Sequence, residues 1–399
     1  MESSQHASRF TSTKRIFVAF SALAVLVAAC GGGGTAGTSP SSAPTATAAT
    51  SAPTTPKAPG TVALLLPEKQ TARYEAADRP FFEAKFKAVC AGATLIYSNA
   101  AESAATQQQQ AEAAITQGAK VLVLDPVDGA AAAVIVNNAK AKGIPVISYD
   151  RLIQGGAKPD YYISFDNESV GTLQATTQLA GLAAAGKTNP KLTVINGSPK
   201  DNNATLFNKG AKAAFVGKAQ IVKEDGMANW KPEEAQQLME QFIAALGKTG
   251  FDGAYVANDG GAGGAIAAMK AAGVDPKTKF VTGQDAEVAA VQRILAGDQF
   301  MTVYKAIQPQ AESAATLACD LANGKTPAAS TTNGKVVNNG TVDVPSILLV
   351  PLAVTIDGKV TGTKAIKDTI VADKFYGADT IAKICTAEFA TACKAAGIQ

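Results

Sequence analysis

Three observations in the sequence predict an α/β architecture with two parallel, doubly wound sheets. From Thr61 onward, short apolar runs alternate with longer amphipathic stretches. The alternation occurs twice, once up to about residue 150 and again from 192 to 296. A polar cluster follows nearly every apolar run. Short buried strands separated by helical stretches imply βαβ units and a parallel sheet.

In the first array, strands are expected at 62–66, 94–97, 121–124 and 145–148, with helices at 79–89, 101–117 and 130–142. Gly118 and Gly143 stand where two of those helices should stop. The second array predicts strands at 192–195, 221–223, 254–257 and 279–282, with helices at 204–217, 232–246, 263–272 and 287–296. Two arrays of similar size imply two similar α/β domains. Ligands of open α/β sheets sit beyond the carboxyl ends of the strands, so two facing sheets would enclose a cleft there.

The region before these arrays carries a different signal. Lys14 and Arg15 precede an apolar run over 16–29, which is shorter than the roughly 20 residues that cross a bilayer. A basic segment followed by a short apolar one reads as a secretory signal over residues 1–29. It ends in Val27-Ala28-Ala29-Cys30, which resembles a bacterial lipobox, with Cys30 as the lipidated first mature residue. Residues 30–59 are mostly Gly, Thr, Ser, Ala and Pro, the composition of a disordered tether. An extracytoplasmic location, anchored to the cell membrane through Cys30, is therefore expected.

Composition excludes several function classes. The formal charge of the 399 residues is +3; removing residues 1–29 takes away Arg9, Lys14, Arg15 and Glu2 and leaves +1. No basic cluster marks a nucleic-acid partner. The single histidine, His6, falls in the removed segment. That excludes a histidine-dependent nucleophile or metal site, and no cofactor is implied. Carboxylate-pair chemistry survives, so a glycosidase stays as a minor alternative to a non-enzymatic role. The remaining cysteines, Cys90, Cys319, Cys385 and Cys393, allow three pairings. One continuous helix through Cys385 and Cys393 would hold them too far apart for a bridge; a break between them would permit it.

The strand ends carry the candidate binding residues. Arg73 and Tyr74 follow the first strand, Asp150 and Arg151 the fourth, and Asp201 and Asn203 the first strand of the second array. Trp230 precedes a helix, Asn258 follows another strand, and Asp285 and Lys305 come later. Helix capping accounts for an Asp or Asn at such a turn, but not for Arg73, Arg151 or Trp230. Aspartate and asparagine suit hydroxyl groups, arginine adds a planar fork of donors, and an aromatic face packs on the C–H face of a pyranose. Arg73, Arg151 and Lys305 balance Asp150, Asp201 and Asp285, which suits a neutral polyol. The glycines at 260–264 lack dinucleotide-loop spacing and read as close helix packing. The four glutamines at 107–110 read as a solvated helix face.

At these strand ends the chain resembles the D-xylose-binding proteins of bacterial ABC transporters, within the type I periplasmic binding proteins. The stretches that carry the resemblance include Tyr149-Asp150-Arg151, Asp201-Asn202-Asn203-Ala204, Gly283-Gln284-Asp285-Ala286, Met301-Thr302-Val303-Tyr304-Lys305 and Asp343-Val344-Pro345-Ser346. It spans about residues 61–376. It implies two lobes joined by a three-segment hinge near residues 164–167, 305–309 and 344–351. The N-terminal lobe would take 60–165 and 306–345, and the C-terminal lobe 166–305 and 346–376. Residues 377–399 would form a tail outside the resemblance. The resemblance also implies that Arg73, Asp150, Arg151, Asp201, Asn203, Asn258, Asp285 and Lys305 contact the sugar and that Trp230 stacks on it. Tyr74 stands where the xylose binders carry a tryptophan. The implied partners are a monosaccharide and a membrane ABC permease, and a monomer is expected. Presentation of a sugar to a receptor is the alternative role.

Overall fold

The computed structural model describes residues 60–332 and 334–399. The signal at 1–29, Cys30 and the tether to residue 59 lie outside the described residues. The first lobe starts with β1 (Thr61–Leu66), a π-helical turn (Tyr74–Asp78), α1 (Arg79–Val89), β2 (Leu95–Asn99) and α2 (Ala104–Thr116). It continues with β3 (Ala119–Leu124), α3 (Ala133–Lys140), β4 (Val146–Tyr149) and β5 (Tyr161–Phe165). The chain then enters the second lobe with α4 (Asn167–Ala184), β6 (Lys191–Asn196), α5 (Asn202–Phe215), β7 (Gln220–Gly226) and α6 (Pro232–Leu246). There follow β8 (Gly253–Val256), α7 (Asp259–Ala271), α8 (Val288–Ala296) and β9 (Thr302–Tyr304). It returns to the first lobe for α9 (Ile307–Ala322), β10 (Val336–Asn338) and β11 (Asp343–Leu349), and ends on the second with β12 (Leu352–Thr355), β13 (Lys364–Ala365), α10 (Thr380–Ile384) and α11 (Ala390–Ala395).

The first sheet has the order β10-β11-β5-β4-β3-β1-β2 and is parallel except for the β10–β11 pair. Val62 to Leu66 are fully buried, as expected for a central strand covered by helices on both faces. The second lobe carries a parallel β7-β6-β8 sheet and a β13-β12-β9 ladder. Gly118 and Gly143 end α2 and α3 with φ of +90° and +68°, where a glycine meets no strain.

Several expectations need correction. No regular strand forms at 279–282: Phe280 takes φ +42°, which interrupts the extended run, although Ala254 of β8 still donates its N–H to Lys279 O and accepts from Thr282 N. Residues 101 and 102 do not join α2, because Ala101 and Glu102 both have positive φ and Ser103 supplies the cap, its Oγ accepting from Thr106 N at 3.1 Å. The glutamine run is not a uniformly solvated face. Gln107 is buried, donating to Asp125 O at 2.7 Å and accepting from Val127 N at 2.9 Å, so it fixes the loop after β3. Residues 346–349 belong to the first sheet, where Ser346 to Leu349 pair with Tyr162 to Phe165. The third crossing therefore falls at Val350 and Pro351, the far end of the span expected for it.

The glycines at 260–264 pack α7 against α6: a Cβ on Gly264 would lie 2.0 Å from Pro232 O. Two disulfides form. Cys90–Cys319 ties α1 to α9, and Cys385–Cys393 spans the break between α10 and α11 with a Cα separation of 5.9 Å. The segment after residue 376 is no loose appendage. Ile384, Cys393 and Ile398 share a core with Val291, Ile294 and Leu295 of α8 and with Tyr304 and Ile307 at the second crossing.

Candidate functional site

The parallel strands deliver their following loops to the cleft between the lobes. All ten candidate residues line one narrow cavity, of about 20 Å³: Arg73, Tyr74, Asp150, Arg151, Asp201, Asn203, Trp230, Asn258, Asp285 and Lys305. Each of the ten is buried.

The first-lobe wall is held by ion pairs. Arg73 donates to both oxygens of Asp78, from Nε at 2.9 Å and from Nη2 at 2.7 Å, and also to Gln310 Oε1 at 2.8 Å. Its Nη1 donates to Asp150 Oδ1 at 3.2 Å, and the Tyr74 hydroxyl donates to Asp150 Oδ2 at 2.9 Å. Arg151 donates to Glu68 Oε1 at 3.0 Å. Burial pushes the Asp150 carboxyl up, but Arg73, Lys305 and Arg151 outweigh it and hold the pKa at about 2. Asp150 also sits at φ +55°, a conformation that costs an ordinary residue energy and persists because its surroundings enforce it.

The second-lobe wall is held by helix caps and packing. Asp201 caps α5, its Oδ1 accepting from Asn203 N at 2.8 Å, while its Oδ2 lies 3.2 Å from Arg151 Nε across the cleft. Burial lifts its carboxyl to about 6, beyond what Arg151 offsets. Asn203 donates to Asp150 O at 3.1 Å and so links the two walls. Asn258 caps α7 through Gly261 N at 3.0 Å. Capping and cleft lining are thus compatible roles for both residues. Trp230 packs edge-on against Phe207 and lies over Gly197, where a Cβ would come within 1.9 Å of the indole ring. Lys305, at the second crossing, pairs with Asp285 at 2.7 Å.

The cavity wall also includes Thr71, Phe207 and Gln284, which were not singled out from the sequence. Phe207 could have been found from Asn203, four residues earlier on the same face of α5. Gln284 adjoins Asp285 in one strand-end turn. Arg151 Nε, Trp230 Nε1, Gln284 Oε1 and Asp285 Oδ1 are buried without a hydrogen-bond partner among the described residues. Asp285 Oδ1 does have an ion pair with Lys305, at a geometry that makes no hydrogen bond. A wall with unspent donors and acceptors of both kinds, and three cations facing three carboxylates, can engage hydroxyl groups without demanding a charged ligand.

Residues 62–326 match the periplasmic binding protein domain. The D-xylose-binding periplasmic protein of Escherichia coli (strain K12) is 40% identical over 304 residues, covering 75% of this chain and 86% of that protein. The multiple sugar-binding periplasmic receptor ChvE of Rhizobium radiobacter is 33% identical, covering 74% of this chain and 86% of its own. Among solved structures, a carbohydrate transporter solute-binding protein from Chloroflexus aurantiacus in complex with D-glucose superposes with a TM-score of 0.67 at 30% identity, covering 80% of this chain and 97% of that one. With its two parallel-sheet lobes and a cavity between their strand ends, the chain belongs to the periplasmic binding protein family, whose members are solute-binding proteins and not enzymes.

Proposed function

We propose that this protein captures a monosaccharide, D-xylose first, outside the cytoplasm and delivers it to the permease of an ABC importer. The observation that carries the proposal is the convergence of ten buried residues, three cations and three carboxylates among them, with the chain's single tryptophan, on one cavity. The Escherichia coli relative, named for D-xylose, supports the sugar. In this proposal Arg73, Asp150, Arg151, Asp201, Asn203, Asn258, Asp285 and Lys305 bond the hydroxyls, and Trp230 and Tyr74 cover the ring. The working lobes are 60–165 with 306–349, and 166–305 with the segment from 350 onward. Lipidation of Cys30 would keep the monomeric binder near its permease and raise its effective concentration there.

Binding would draw the lobes from an open form into the closed one, a population shift toward the state the sugar binds better. A second reading, presentation of the closed form to a receptor, is favoured by the relative named as a multiple sugar receptor. Tyr74 in place of a tryptophan makes room for a sugar other than xylose. Calorimetry of the purified protein against D-xylose, D-glucose, D-galactose, L-arabinose and D-ribose tests the proposal. One-to-one binding with D-xylose tightest is expected. A preference for another sugar would discard the xylose assignment, and no binding to any would overturn sugar capture.

A further inference from the structure

A second cavity, of about 290 Å³, lies across the lobe interface on the other side of Arg73 and Asp285 from the sugar cavity. The first lobe contributes Ala72, Ala76 and Ala77, and the second contributes Ala286, Glu287, Val288 and Phe375 among others. Glu287 is the chemically unusual member. It stands at the start of α8 but makes no capping bond with its side chain. Its Oε1 is buried with no hydrogen-bond partner among the described residues. The Ala72 N–H of the first lobe faces the same carboxyl and favours its charged form, by less than burial opposes it.

The groups around Glu287 do not neutralise a negative charge there. From α7, Asp259 faces it, and the Glu287 N–H is spent on Asp259 Oδ2 at 3.0 Å. From its own loop comes Asp285, whose partner is Lys305. Arg293 of α8 is the cation that acts on it, yet this guanidinium donates to Asp259 O at 2.7 Å and Gln299 Oε1 at 3.0 Å. From the first lobe, Arg73 is committed to Asp78 and Asp150. From the C-terminal segment, the Tyr376 hydroxyl donates to Ala286 O, and Lys383 pairs with Asp379 at 3.0 Å. A carboxyl placed among carboxylates, with an unpaired buried oxygen and an apolar wall supplied by the opposite lobe, is favoured in its neutral form.

We propose that closure of the lobes on a sugar takes up a proton at Glu287. This rests on the sugar-capture reading and adds a regulation to it: capture is tighter in mildly acidic surroundings. In the closed form, burial and then the neighbouring Asp259 and Asp285 push the Glu287 carboxyl up to about 8. Opening removes the first-lobe wall, returns water to the carboxyl and lets it ionise nearer the ordinary range. The Asp259 carboxyl, itself pushed up to about 7 by burial, accepts among the described residues only from Thr302, Gln299 and Glu287 N, all of the second lobe, so its environment changes less on opening.

The sign follows from linkage. The closed form binds more protons than the open form between the two pKa values, so affinity falls as pH rises through that interval and levels off above about 8. One proton corresponds to at most about a tenfold loss of affinity per pH unit. The test is calorimetry of D-xylose binding at pH 7 in two buffers of different ionisation enthalpy, with the full chain and with Glu287→Gln. The expected result is uptake of up to one proton by the unsubstituted protein and a clear reduction in Glu287→Gln, which still binds the sugar. Binding with no buffer dependence, or equal uptake by both proteins, would overturn the proposal while leaving sugar capture intact. If Glu287→Gln does not fold, the pH dependence of D-xylose affinity in the unsubstituted protein decides, a flat profile from pH 6 to 8 being the contrary result. Absence of sugar binding at every pH would instead sink the reading on which it rests.

Discussion

Asp150 on the first-lobe wall and Asp201 on the second are both buried, both near Arg151, and shifted in opposite directions. Asp150 is enclosed by Arg73, Lys305 and Arg151 and held at about 2, whereas Asp201 has one close cation and is lifted to about 6. The same contrast runs through the rest of the two walls. The first is a lattice of charges that constrain each other, and its members are costly to remove singly. The second is set by helix starts and aromatic packing, and its members answer mainly to local backbone geometry.

The contrast can be broken most severely at Arg73. Arg73→Met would leave Asp78 and Asp150 buried without their main partner, at a cost of about 3–5 kcal/mol. Urea denaturation should show that loss in the protein without sugar, and calorimetry should show binding abolished. A normal denaturation midpoint would mean that the lattice does not hold the first wall.

A smaller effect distinguishes the two aspartates by pH. Asp150, held below its ordinary value, stabilises the fold above about pH 4, and that contribution is lost as pH falls toward 2. Asp201, held above its ordinary value, favours the fold below about pH 4, and that contribution is lost as pH rises through 6. Asp201→Asn should therefore remove part of the gain in stability seen between pH 6 and 4, while leaving the loss below pH 4 in place. Identical profiles for the two proteins would contradict the assignment.

The smallest effect is expected at Asn258. Asn258→Ala removes the α7 cap at a cost of about 1 kcal/mol. Stability measured by urea denaturation should fall by that amount, with a further loss in sugar affinity from the cavity wall. A change in affinity with no change in stability would show that the cap is dispensable.

The fold class and the convergence of the candidate residues on one cavity were both legible in the sequence. The loops after β1, β4, β6, β7 and β8 reach the candidate cavity, so residues such as Arg73, Asp150, Asp201 and Asn258 could be picked out once the apolar runs were placed. Capping and lining did not need to be separated, because Asp201 caps through one oxygen and meets Arg151 with the other. What stayed hidden depends on long-range packing. Nothing local shows that Gln107 turns inward to bond the loop after β3, or that Phe280 takes a left-handed backbone. The final segment resembled no strand-helix unit, and its role as core emerges only where Ile384 and Ile398 meet α8. Glu287 is likewise an ordinary helix-start acid in the sequence, made unusual by burial beside Asp259 and Asp285.

Trp230 offers the most direct test, because it is the chain's single tryptophan and lies on the cavity wall. Its emission can be followed while D-xylose and the other four sugars are added in turn. A saturable change at one sugar per protein is expected, absent in Arg73→Met. Unchanged emission at a large excess of every sugar would contradict a sugar-filled cavity between the lobes.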